Sequence, residues 1–207
     1  MICAICEKFI SVICVWKFTD SYAQSSAKIF VICGKLKKIL SLNLLKLKQM
    51  STALQLAKRF REVMLDGLWI ANTNFKAKLS DVTWEQATTK IGNINTIAML
   101  TFHVDYYIAG ILNVFEGGDL EIKDKFSFDL PPIESQKQWA ELLNKLWTDS
   151  EKLVTMLEQM PDDKLNEVFV DEKYGTYLRN IDGMIEHAYY HLGQITLIKK
   201  MILFKNK

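Results

Sequence analysis

Cysteine is missing from residues 50 to 207, since all four, Cys3, Cys6, Cys14 and Cys33, lie before position 34. The longer stretch therefore has no disulfide, no cysteine nucleophile and no cysteine-ligated zinc or iron–sulfur site, a usage that fits a reducing cytoplasm. Arginine is scarce, present only as Arg59, Arg61 and Arg179. That part of the chain offers no basic face to a nucleic-acid backbone, and nucleic acid is not an expected partner. Proline occurs only at Pro131, Pro132 and Pro161. Residues 1 to 49 lack long apolar runs: Phe9 to Trp16 and Ile29 to Cys33 are each broken by lysine before the roughly 18 to 20 residues a spanning helix needs. The chain carries no glycine-rich phosphate loop and no internal repeat.

What is present falls into two compositions joined near Met50. Of 207 residues, 49% are hydrophobic and 24% charged, the balance of a globular protein able to bury one good core. Residues 1 to 49 hold eight Lys against Glu7 and Asp20, a net of +6, so the whole-chain charge of +2 leaves residues 50 to 207 at −4. The first segment is expected to be an extension. It reads best as a translated leader ahead of Met50-Ser51-Thr52, which opens a capped helix. Its alternative is a basic amphipathic helix from Lys35 to Lys48 lying on a membrane surface. As a signal peptide it fails, because Glu7 and Lys8 interrupt the apolar region.

From Thr52, apolar residues recur at three and four through Leu56, Phe60, Val63, Leu68, Phe75 and Leu79, predicting one long amphipathic helix. A second helix is predicted from a cap at Asn95 to the stop at Gly117-Gly118. A third runs from a cap at Ser135 to Pro161, and a fourth from Tyr177 to about Phe204. Residues 162 to 175 read as a connection with at most short extended structure. Four long helices without an alternating strand pattern predict an all-α four-helix bundle, a fold that builds metal sites from facing helices. Trp69, Trp84, Trp139 and Trp147 are expected in the core or at an interface.

The chain has three histidines. His187 and His191 are four apart, so on a helix both leave one face and can chelate one ion. His103 sits among Leu100, Tyr107 and Ile111 on the second helix and is expected to look inward. Three imidazoles suit zinc, nickel, iron or copper and leave a coordination position for water or substrate. The plainer reading is that each is a hydrogen-bonded core residue. A carboxylate-bridged di-iron site is excluded, because the residues three before the histidines are Leu100, Met184 and Ala188 rather than glutamates.

Thr101-Phe102-His103 on the second helix and Glu186-His187-Ala188-Tyr189-Tyr190-His191-Leu192-Gly193-Gln194-Ile195 on the last resemble the DinB-like superfamily of four-helix metal-binding proteins. The resemblance spans residues 50 to 207, and its specific part is His-x-x-x-His followed by Gly-Gln-Ile. It implies a DinB-type bundle with His103, His187 and His191 as ligands to one divalent ion, zinc or nickel first, manganese or iron next. It also implies a metal-dependent enzyme, foremost a transferase that activates a low-molecular-weight thiol against a small-molecule electrophile. A metal-dependent hydrolase is the second reading, and a non-catalytic homodimer stabilised by metal the third. Tyr107 and Tyr190 are candidate proton donors, and Gln194 is a candidate to orient a ligand from behind. Asp105 and Glu186 are expected to be solvated or to support the ligands.

Overall fold

A computed structural model describes residues 50 to 205. The extension 1–49, with both readings of it, lies outside the described residues. Those from Met50 onward form one compact unit.

Six α-helices make up this unit, and no named strand occurs among the described residues. They are α1 (Thr52–Met64), α2 (Phe75–Leu79), α3 (Trp84–Thr88), α4 (Ile97–Phe115), α5 (Gln136–Gln159) and α6 (Tyr177–Lys205). The four long ones form a bundle in which α1 and α4 each pack against both α5 and α6. This is the all-α bundle expected. Its core is aliphatic with a few large rings, among them Phe60, Phe75 and Trp139, all fully buried. Trp139 also satisfies its indole N–H, donating to the Val82 carbonyl at 2.9 Å.

Local sequence explains where the helices start. Ser51, Asn74, Thr83, Thr96 and Ser135 each accept a backbone N–H of the first turn through the side chain. Helix α1 has a second cap from far along the chain, since the Asp162 carboxylate accepts from Thr52 N and Ala53 N at 3.0 and 2.9 Å. The cap of α4 is Thr96, one residue beyond the expected Asn95.

The first helix departs from expectation. It stops at Met64 instead of running on to Leu79, and α2 is a separate element. At Gly67 the chain passes so close to Glu62 that a Cβ would lie 2.4 Å from its Cα. Ala71 and Asn72 then adopt φ of 59° and 50°, and the Asn74 amide donates to the Gly67 carbonyl at 2.9 Å. The apolar spacing continued across this turn only because Phe75 and Leu79 re-enter the core from α2. Leu68 and Trp69 are exposed, Trp69 by 83%, so that tryptophan is not a core residue.

Helix α4 is apolar on nearly every side because it packs against α3, α5 and α6. By length and hydropathy it is the one described helix able to cross a membrane, yet 67% of that stretch is buried within the bundle. The connection 162–175 holds two 3₁₀ turns, Asp162–Asn166 and Glu172–Tyr174, and one antiparallel bridge between Val168 and Thr176.

Candidate metal centre

His103 leaves the middle of α4, while His187 and His191 leave α6 one turn apart, and the contact between the two helices brings them together. His103 and His191 are buried and His187 is half-buried. The three Nε2 atoms converge: His187 Nε2 lies 3.1 Å from that of His103 and 2.9 Å from that of His191. One ligand atom from each residue lies within 4.8 Å of the others, close enough to hold a metal ion.

The outward-facing nitrogens set the proton positions. His103 Nδ1 is 3.3 Å from the Ser127 carbonyl oxygen and His191 Nδ1 is 2.7 Å from Gln194 Oε1. A carbonyl oxygen can only accept, so each Nδ1 carries the proton and each Nε2 turns a lone pair inward. A proton on His187 Nε2 could serve only one of the two inner contacts. The other would remain lone pair against lone pair, an arrangement that a shared cation resolves. Imidazole nitrogens fit zinc, nickel, iron or copper, and a carbonyl behind each of two ligands is the usual means of fixing ring orientation. These residues therefore fit a divalent ion.

Electrostatics agree with that chemistry. Burial, and then repulsion from its two neighbours, pushes His187 down to about 4. Burial also holds His103 and His191 below the usual imidazole value, with His191 adding repulsion at His103. All three are kept neutral, as metal ligands must be.

Rings close the outer side of the cluster. Phe128 stacks on His103 with centroids 4.0 Å apart and planes 7° from parallel. Tyr107 meets His103 and His187 edge-on at 5.0 and 5.2 Å. Its hydroxyl donates to Asp124 Oδ1 at 2.9 Å, and burial, then that carboxylate, raises the phenol above its ordinary value. Tyr107 and His187 also line a cavity of about 740 Å³, so the cluster has an open approach.

The other expected residues divide. Gln194 does stand behind His191. Tyr190 packs edge-on against His191 at 4.9 Å, but it is 63% exposed and outside the cavity lining, which removes it as a donor within the pocket. Glu186 is exposed, 3.9 Å from Arg179. Asp105 differs from expectation: it is buried and faces α5, where Oδ2 accepts from Lys145 Nζ at 2.7 Å. Helical residues two apart cannot share a face, so His103 and Asp105 serve different interfaces.

The loop from the 116–119 turn to Pro132 was expected to shape the mouth of a pocket, and Leu120, Ile122, Lys123 and Asp124 from it do line the cavity. That Ser127, Phe128 and Asp124 would meet His103 and Tyr107 was not legible, because the loop returns to α4 only in three dimensions. Arg179 and Gly183 did leave a signal, standing eight and four residues before His187 on one stripe of α6.

Comparison of the chain with protein-family models, with curated proteins and with solved structures finds no match in any of the three.

Proposed function

We propose that residues 50 to 207 form a DinB-like metal-dependent enzyme, a transferase that activates a low-molecular-weight thiol on an ion held by His103, His187 and His191. The observation carrying this reading is the convergence of three imidazole nitrogens, two with protons fixed outward, beside a cavity large enough for a small substrate. A divalent ion there would favour thiolate over thiol and hold the sulfur beside its target.

The remaining work falls to the chain itself. Ser127 and Gln194 hold the rings of His103 and His191 in place. Phe128 covers one face of His103 and keeps water from it. The Tyr107 hydroxyl, kept neutral, stands on the cavity wall with its proton committed to Asp124, so it presents an oxygen lone pair to the cavity. With no cysteine after Cys33, the sulfur nucleophile must come from outside residues 50 to 207. In the proposed reaction the thiol sulfur forms a bond to an electrophilic carbon, the leaving group departs with its electron pair, and the thiol proton passes to solvent.

A purely stabilising ion fits less well, because the open cavity reaches His187 and no fourth His, Cys, Asp or Glu joins the cluster among the described residues. The test is metal stoichiometry of the purified chain, followed by turnover of bacillithiol, mycothiol and glutathione with a general aryl halide in zinc, nickel, manganese and iron forms. A rate above the metal-free background for at least one thiol is expected. Background rates for every thiol and metal would reject the transferase, leaving hydrolysis or a binding role.

A further inference from the structure

The cavity in front of the histidines is chemically two-ended. Its buried wall is apolar, formed by Ile111, Phe169 and Met184. The exposed part carries three cations, Lys123, Lys173 and Arg179, against the single carboxylate of Asp124, which already accepts the Tyr107 hydroxyl.

The cations are only loosely engaged. Arg179 meets Glu186 at 3.9 Å and Lys173 meets Asp171 at 3.6 Å, with every side chain in these pairs more than half exposed. Such surface pairs contribute little and yield readily to a better anion. Lys123 has no ion-pair partner among the described residues. Guanidinium and ammonium groups gathered at one mouth recognise carboxylate and phosphate, the guanidinium with two parallel donors.

Gly183 connects the two ends. It lies on α6 midway between Arg179 and His187 and lines the cavity, and a Cβ built on it would meet no heavy atom within 4 Å. Glycine weakens a helix interior, and here its missing side chain leaves open the path from the cationic mouth to the histidines. Eight residues of helix separate Arg179 from His187, about 12 Å of axis.

We propose that this cavity binds a substrate with an apolar body and an oxyanion head, a carboxylate or a phosphate. Arg179, Lys173 and Lys123 hold the head, and the other end is delivered to the histidine cluster. The chemistry at that far end rests on the metal-centre reading; the binding of the head does not.

The experiment is calorimetric titration of the full chain, metal-loaded and metal-stripped, with octanoate, octyl phosphate and octylamine. At least one of the two anions should bind tenfold or more tighter than the amine with or without metal, and their ratio identifies the preferred head. The double variant Arg179→Gln/Lys173→Gln should weaken anion binding at least tenfold with metal content unchanged. Gly183→Leu, which improves helix propensity, should abolish anion binding and retain the ion; circular dichroism verifies both folds, and the double variant alone decides if Gly183→Leu misfolds. Equal affinity for anion and amine would overturn the proposal, as would anion binding that disappears with the metal or survives the double variant undiminished. A chain that binds no metal yet still prefers anions would refute the metal centre alone, whereas a metal-binding chain without anion preference would refute this proposal alone.

Discussion

Two buried polar clusters sit two residues apart on α4 and face opposite neighbours. Toward α5, Asp105 meets Lys145, whose ammonium also donates to Asp149 Oδ2 at 2.5 Å. Opposite charges meet there and compensate only in part: burial outweighs Lys145 and raises the Asp105 carboxyl to about 6, with Oδ1 buried and without a hydrogen-bond partner among the described residues, while at Lys145 the two carboxylates outweigh burial and hold the amine above its ordinary value. Toward α6, His103 meets two more imidazoles, and the opposite charge that reaches it is that of Asp124, which is held on the Tyr107 hydroxyl. A cluster that holds both signs of charge needs no further ion, whereas three converging imidazoles lie close enough to take one.

The sharpest way to break the comparison is to remove a ligand. His187→Ala should lower metal affinity at least about 100-fold, beyond what loss of a supporting hydrogen bond costs, whereas Asp105→Ala should leave metal content unchanged. Metal analysis after dialysis checks both, and equal losses in the two variants would erase the distinction. Removing bound ion from the wild type should also lower the melting temperature, because a ligand held only by the folded state stabilises it.

Next in size is the charge pair. Lys145→Met leaves the Asp105 carboxylate buried without its partner and should cost about 2 to 3 kcal/mol, below the fully buried range because the ammonium is half exposed. The double variant Asp105→Leu/Lys145→Met should recover most of that loss in urea unfolding. A single variant as stable as wild type would show that the network contributes nothing.

Gln194→Leu keeps all three ligands but frees the His191 ring. A loss of about 10- to 100-fold in metal affinity is expected, with the melting curve of the stripped protein little changed. Unaltered affinity would mean that Gln194 does not orient the ligand.

The smallest effect is in pH dependence, where the clusters oppose each other. The histidines are depressed in the folded state, His187 from 6.5 to about 4, so their stabilisation is complete above 6.5 and is lost as pH falls toward 4. Asp105 is raised from 3.8 to about 6, so its contribution is complete below 3.8 and is lost as pH rises through 6. In metal-stripped protein three histidines should outweigh one carboxylate, giving a lower urea midpoint at pH 5 than at pH 7. Asp105→Asn, which removes the opposing group, should make that fall steeper. A midpoint that does not change between pH 5 and 7 would contradict the depressed imidazoles.

The helical class, the caps at Ser51 and Ser135, the stop at Gly117 and the pairing of His187 with His191 were all legible in the linear chain. Each depends on residues within a turn or two of one another, where propensity, capping and the 3.6-residue period act directly. The turn after Met64 was not, since Phe75 and Leu79 keep apolar spacing across a change of direction. Its punctuation was Gly67, Asn72 and Asn74, residues whose role emerges only when the chain is seen folding back.

By itself the sequence determined an all-α class with four principal helices, one face of α6 with two imidazoles at chelating distance, and the absence of cysteine from residues 50 to 207. Only the tertiary structure decided that α4 lies beside α6 so that His103 completes the set, that Asp105 turns to Lys145 instead, and that the 124–128 loop returns to hold His103 and Tyr107. Helical period specifies which residues share a face. Which faces meet is decided by packing of the whole apolar surface, a sum over contacts far apart in the chain that no local pattern contains.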